Sequence, residues 1–203
     1  MLEDKPSGPI AASTVDIDWS PLRGGGANFR THRLVPVDLE TTVFKPTVGA
    51  LVFYFAFMLF GVIPSAIGFW QLVSEGFHWQ KEILIPFGFG AVFGTIGFAL
   101  FAFGSRPIVF DKNRGYYWKG RKDPDAVWSK EELKHFAELK DVHGLQIVSE
   151  WVKSDKSSYA SYELNLVLKD GSRMNVVDHG NETKLREDAE VLAGFLGVPL
   201  IEK

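Results

Sequence analysis

Residues 45–106 read KPTVGALVFYFAFMLFGVIPSAIGFWQLVSEGFHWQKEILIPFGFGAVFGTIGFALFAFGSR. Two long runs in this stretch contain no charged residue, and a short polar gap separates them. At about 1.5 Å per residue, each run is long enough to cross a hydrocarbon core of about 30 Å as a helix. We therefore predict a transmembrane hairpin over residues 45–105, with helices at about 48–74 and 83–104.

Small residues recur four positions apart in both runs. Gly61 and Ser65 form such a pair in the first run, and Gly90 and Gly94 form one in the second. Small side chains at this spacing let two helices approach closely. We expect this contact to lie within the hairpin, and the alternative is dimerisation through the same faces.

The distribution of basic residues predicts the orientation of the hairpin. The gap between the runs contains only Lys81. More basic residues lie on the outer flanks: Arg30, Arg33 and Lys45 before the first run, and Arg106, Lys112, Arg114, Lys119, Arg121 and Lys122 after the second. By the positive-inside rule, both termini are expected in the cytoplasm of a bacterial cell, with the protein in the inner membrane.

Composition excludes several classes of function. The 203-residue chain has a net charge of −3, which gives no reason to expect nucleic-acid binding. It contains no cysteine, so disulfides, thiolate catalysis and cysteine metal sites are excluded. The first residues lack the basic region of a secretory signal, and we expect the first run to be retained as a signal anchor.

No motif predicts catalysis, a cofactor or a metal site. The triple glycine Gly24-Gly25-Gly26 is not followed by the Gly-Lys-Ser/Thr of a phosphate loop. The histidines lack ligand spacing, and we expect surface or capping roles for them: His32, His78, His135, His143 and His179. The prediction is a protein that is not an enzyme and that binds no cofactor and no metal.

Residues 1–44 are predicted to be a flexible cytoplasmic segment. They are rich in Pro, Gly, Ser and Thr, and the triple glycine lies at their centre. Such a composition favours an extended chain. We expect parts of it to lie along the membrane or to dock on the C-terminal domain.

Residues 106–203 are predicted to form a cytoplasmic domain of antiparallel strands followed by one helix. Strand patterns occur at residues 107–110, 116–118, 144–152, 162–168 and 173–177, with Asp170-Gly171 as a hairpin turn between the last two. A helix beginning near Asn181 or Thr183 presents one apolar face, made of Leu185, Ala189, Leu192 and Phe195. We expect this helix to cap one buried face of the sheet, in a pleckstrin-homology-like fold.

A basic-aromatic cluster follows the second run: Arg114, Tyr116, Tyr117, Trp118, Lys119, Arg121 and Lys122. Beside a membrane, each basic residue contributes on the order of 1 kcal/mol to attraction for anionic headgroups. The cluster is therefore a candidate contact for lipid headgroups or for a partner. The alternative is that its charges only set topology and its aromatic rings pack in a hairpin.

Three segments after the hairpin carry a resemblance to a known family. They are residues 110–115 (FDKNRG), 141–147 (DVHGLQI) and 186–199 (REDAEVLAGFLGVP). Their order resembles that of the photosystem I assembly factors of chloroplasts and cyanobacteria, over most of residues 45–200. The resemblance implies two spans, a domain facing the stroma or cytoplasm, and a scaffold role without catalysis. The N-terminal segment and residues 122–138 depart from the family, and no functional residue is carried over from it.

These observations predict a non-catalytic integral membrane protein whose cytoplasmic domain binds another protein, as an assembly or accessory subunit. Its expected partners are membrane lipids and a membrane or cytoplasmic protein, with no nucleic acid. The alternative function is an anionic-lipid-sensing module that uses the basic-aromatic cluster. An enzyme acting on a membrane substrate is a third hypothesis.

Overall fold

Two long apolar helices dominate the middle of the chain. The structure is a computed structural model that describes residues 17–77, 80–130, 133–154 and 157–202. Helix α1 is Val48–Ser74 and helix α2 is Lys81–Gly104, close to the predicted bounds. Both are long and apolar enough to cross a membrane.

Small residues form the contact between α1 and α2. A Cβ atom on Gly61 would overlap the backbone nitrogen of Gly94, and a Cβ on Gly90 would overlap the hydroxyl of Ser65. A Cβ on Gly94 would lie 3.7 Å from the Cα of Gly61, which is an ordinary contact. The contact of these four residues is thus within the hairpin, and Gly94 has room for a Cβ atom.

The first sheet has five antiparallel strands in the order β1-β2-β3-β4-β5. They are β1 (His32–Pro36), β2 (Thr41–Pro46), β3 (Ile108–Asp111), β4 (Tyr116–Lys119) and β5 (Phe136–Glu138). Phe44 of β2 pairs with Ile108 of β3, so the helical hairpin is inserted between two neighbouring strands.

The polar domain, as we call residues 17–46 together with residues 105–202, is therefore discontinuous in sequence. Composition predicts a flexible segment over residues 1–44, whereas the structure has strands β1 and β2 in residues 32–46. Burial explains the difference, because Phe44 packs with Ile108 and Phe110 in the main core and is fully buried. Residues 1–16 of that segment lie outside the described residues.

The second sheet has the order β8-β7-β6-β9. Its strands are β6 (Val142–Ser154), β7 (Ser157–Leu168), β8 (Arg173–His179) and β9 (Leu200–Ile201), the last one parallel to β6. The predicted Asp170-Gly171 hairpin is confirmed, with Gly171 at a φ of 85°. This left-handed conformation favours glycine because it has no Cβ.

Helix α3 (Glu182–Leu196) packs on one face of the second sheet, as predicted. Asn181 begins it, since its side chain accepts the N–H of Lys184 at 3.0 Å. Leu185 and Leu192 are fully buried. Phe195, predicted to be buried, is only partly so, and Lys112 Nζ lies 4.7 Å from its ring centroid.

The opposite face of the second sheet is also covered, where the sequence predicts one buried face. Leu164 faces the core, and its neighbours Glu163 and Asn165 are buried on the other side. Residues 18–28, here called the strap, run over that side and hydrogen-bond to it, for example at Glu163 and Ser161. The expected docking of part of the N-terminal segment is thus seen for the strap.

Candidate functional site

A cationic pocket of about 380 Å³ lies beside the C-terminal end of α2. Its lining residues are Arg106, Trp118, Lys119, Gly120, Arg121, Lys122, Leu133, Lys134 and His135. Five of these described residues are Lys or Arg, and none is Asp or Glu. Because cations stabilise an anion most where carboxylates do not compete for them, the pocket suits a phosphate or a carboxylate group.

The first sheet and α2 together build the pocket. Arg121 donates from its guanidinium to Ser105 Oγ at 2.7 Å and to Ala102 O at 3.3 Å, which ties the pocket wall to the end of α2. Gly120 turns the chain after β4 at a φ of 142°. The N–H of Lys119 donates to His135 O at 3.0 Å, which brings the segment before β5 to the pocket.

The positively charged forms of Lys119 and His135 are disfavoured inside the pocket. Burial lowers the pKa of Lys119 to about 8; Asp178 opposes this shift, and Arg23 and Arg106 add to it. Burial also lowers the pKa of His135, and the nearby Lys119 lowers it further. An anion bound among these groups would relieve the repulsion and raise both pKa values.

The predicted basic-aromatic cluster divides between the pocket and other places. Trp118, Lys119, Arg121 and Lys122 line the pocket. Arg114 does not, because its guanidinium binds three carboxylates: Asp111 at 2.9 Å, Asp123 at 2.8 Å and Asp125 at 3.3 Å.

The two predicted tyrosines also have other roles. The hydroxyl of Tyr116 accepts a hydrogen bond from Lys130, whose Nζ lies 3.6 Å from the Tyr116 ring centroid. Tyr117 is fully buried against Phe110 in the main core. Four of the seven residues in the predicted cluster therefore remain candidates for binding.

Sequence reasoning missed the second wall of the pocket, which Leu133, Lys134 and His135 provide. For Arg106, the sequence predicted only a contribution to the membrane orientation of the hairpin. The pairing of β4 with β5 brings the missed residues in. Strand β5 has three residues, Phe136–Glu138, and such a short stretch has no periodicity that marks a strand.

One histidine departs from the expected surface or capping role. His32 is 9% exposed, and burial followed by the charge of Lys119 lowers its pKa to about 4. His179 is fully buried, although its Nδ1 accepts the N–H of Asn181 at 3.1 Å, a capping-type bond. His78 lies outside the described residues.

Within the described ranges, no group of three or more His, Asp or Glu residues is placed to hold a metal ion. Comparison with protein-family models, with curated proteins and with solved structures gives no match for this chain. The geometry of the pocket and of the helical hairpin is therefore the basis for the proposed function.

Proposed function

We propose that α1 and α2 cross a bacterial inner membrane as a hairpin, with both termini in the cytoplasm. At about 1.5 Å per residue, the 27 and 24 residues of these helices span about 40 and 36 Å. Only 17% of the most apolar window of either helix is buried. A soluble core helix would be mostly buried, whereas lipid would cover these exposed apolar side chains.

We propose further that the polar domain binds the anionic phosphate headgroup of a lipid in the cationic pocket. The supporting observation is that five basic side chains meet beside the end of α2, with no carboxylate among the described lining residues. A lipid beside α2 would have its headgroup at that level of the membrane. This favours the lipid-binding function over the other candidates.

The pocket is tested by lipid binding to the full-length protein in detergent, measured by native mass spectrometry with dioctanoyl phosphatidylglycerol. Removing both exposed charges, Lys122→Gln with Lys134→Gln, should weaken binding roughly thirtyfold, at about 1 kcal/mol for each charge. Lys169→Gln removes one exposed charge from the β7–β8 turn and should leave affinity unchanged. Equal affinities of the double variant and the parent would reject the pocket.

An accessory role without catalysis is the second candidate function. Two indoles of the polar domain support it: Trp128 is fully exposed and Trp151 is 69% exposed. Exposed tryptophans are common anchors of protein interfaces. A photo-crosslinking residue at position 128 should trap one specific partner in cells, whereas a photo-crosslinking residue at position 169 should trap none. Equal amounts of adduct at both positions would contradict the accessory role.

The pleckstrin-homology-like fold of the polar domain is also a proposal. The antiparallel first sheet, the three antiparallel strands β6, β7 and β8 of the second sheet, and helix α3 support a pleckstrin-homology-like domain. The resemblance to photosystem I assembly factors likewise stays a prediction, and the accessory role is what it would imply.

A further inference from the structure

The strap is bound mainly through its backbone. Glu163, 2% exposed, accepts the N–H of Leu22 at 2.8 Å and that of Arg23 at 2.6 Å. Three more side chains of the sheet donate to strap carbonyls: Gln146 Nε2 to Asp18 O (3.0 Å), Tyr159 OH to Gly26 O (3.0 Å) and Ser161 Oγ to Ala27 O (3.1 Å). We call this face of β6, β7 and β8 the strap groove. It binds the backbone of the strap, which bends at residues 22–25, largely without regard to side chains.

Three positions of the strap nevertheless restrict the type of residue that can occupy them. The Arg173 side chain is 5% exposed and binds the Asp18 carboxylate at 2.8 Å. At the other end, a Cβ on Gly26 would overlap the hydroxyl of Ser161. Gly25, directly before it, has a left-handed φ of 78°, which favours glycine. An occupant of the groove therefore needs an acidic residue and, seven and eight positions later, two glycines.

The strap leaves part of the groove unused. The Oδ1 atoms of Asn165 and Asn175 are buried on this face and accept no hydrogen bond from the described residues. In the middle of the strap, Pro21, Leu22 and Arg23 are exposed. The hydrogen bonds from Gln146, Tyr159 and Ser161 join neutral groups and contribute modestly, because water replaces them on release. The strap is thus held less firmly than the strands beneath it.

We propose that the strap groove is a binding site for a peptide segment with an acidic residue and, seven and eight positions later, two glycines. The strap occupies it within the chain, and a segment of the same chemistry from a partner protein displaces the strap. This inference rests on the accessory role proposed above and names the chemistry of the partner. It is independent of the cationic pocket.

The test uses the full-length protein in detergent and a labelled peptide of residues 17–30 (IDWSPLRGGGANFR), with binding measured by fluorescence anisotropy. Gly26→Ala should loosen the strap, so that variant should bind the peptide at least tenfold more tightly than the parent. Gly24→Ala is the matched control, because its Cβ would lie 3.8 Å from the nearest atom. It should bind as the parent does.

Specificity is tested on the loosened Gly26→Ala protein. Adding Glu163→Gln, or using a peptide with Asp18→Ala, should weaken binding roughly tenfold or more, as expected for losing a hydrogen bond to a charged group. A peptide with Gly26→Val should not bind. Equal binding of these peptides, or equal binding by the Gly26→Ala and Gly24→Ala proteins, would overturn the proposal.

Amide hydrogen exchange of the Gly26→Ala protein provides a second measurement that does not need the peptide. Exchange at Leu22 and Arg23 should accelerate at least tenfold while β7 stays protected. Loss of protection in β7 as well would overturn the proposal, because the strap would then be part of the core. A dimer that separates on peptide addition would identify a second copy's strap as the occupant and overturn the intrachain assignment.

Discussion

Lys119 illustrates how a single residue can connect the proposed ligand to pH. Its amine donates to Val176 O at 2.9 Å, and it lies in a half-buried position on the pocket wall. Because burial lowers the pKa of Lys119 to about 8, this group changes charge in a range where an ordinary lysine stays protonated. A bound anion favours the protonated amine, so binding and proton uptake are linked.

Affinity for phosphatidylglycerol should therefore fall as pH rises above about 8. The phosphodiester keeps its charge throughout, so the loss reflects the protein. Loss of one cation at about 1 kcal/mol predicts an affinity about fivefold lower at pH 9.5 than at pH 7. The measurement is native mass spectrometry at both pH values. The Lys119→Met variant should bind the lipid more weakly at pH 7, and its affinity should depend little on pH. If the affinity of the parent protein is the same at both pH values, Lys119 is not part of the binding site.

At the scale of elements, the α1–α2 contact depends on backbone-to-backbone approach. A Cβ on Gly97 would lie 2.5 Å from the nitrogen of Met58, and Gly61 and Gly90 are equally constrained. At each of these positions a Cβ would lie within 3.0 Å of backbone atoms of the facing helix, which cannot move aside as a flexible side chain can. Gly88, in contrast, faces open space, because a Cβ added there would have nothing within 4 Å.

Gly90→Ala should therefore separate the helices, whereas Gly88→Ala on the same helix should not. Overpacking of this kind typically costs about 1–3 kcal/mol. Thermal unfolding in detergent should show a lower midpoint for Gly90→Ala and a parental midpoint for Gly88→Ala. Identical midpoints for the two variants would place Gly90 outside the helix contact.

Helix α3 stabilises the second sheet through its buried face. Leu192 is fully buried and Val191 beside it is 58% exposed. Leu192→Ala should cost about 2–5 kcal/mol in the free energy of unfolding, because it leaves a cavity. Val191→Ala should cost less than about 0.5 kcal/mol. The cost of Phe195→Ala should lie between these two values, since its ring is partly buried. Urea unfolding of the full chain measures all three free energies. An unchanged free energy of unfolding for Leu192→Ala would contradict the packing of α3 on the sheet.

At the scale of the whole molecule, the hairpin and the polar domain are joined at two points. Strand β2 ends at Pro46 and α1 begins at Val48, while α2 ends at Gly104 and β3 begins at Ile108. Both ends of the hairpin therefore meet the same sheet. If the hairpin spans a membrane, the polar domain lies on one side and the α1–α2 connection on the other.

Reporter fusions test this topology. A fusion after Glu75 should report the outside of the inner membrane, and a fusion after Lys203 should report the cytoplasm, in agreement with the positive-inside rule. A cytoplasmic signal from the Glu75 fusion would contradict the proposed hairpin topology.

Local patterns were sufficient to predict the elements whose signal lies within one continuous stretch. The two apolar helices follow from charge-free runs of fixed length, the β7–β8 hairpin from Asp170-Gly171, and α3 from its apolar spacing and the Asn181 cap. Each of these depends on interactions between residues close in sequence, so periodicity and turn chemistry carry the information.

Long-range pairing decided the rest, because its partners are distant in sequence. Phe44 joins Ile108 across the whole helical hairpin, and the strap reaches Glu163 from about 140 positions away. The cationic pocket likewise needs β5 to bring Lys134 beside Lys119. The sequence by itself determined the three helices and the β7–β8 hairpin. Only the tertiary structure decided that residues 32–46 form strands and which charges meet, since both depend on burial and strand order.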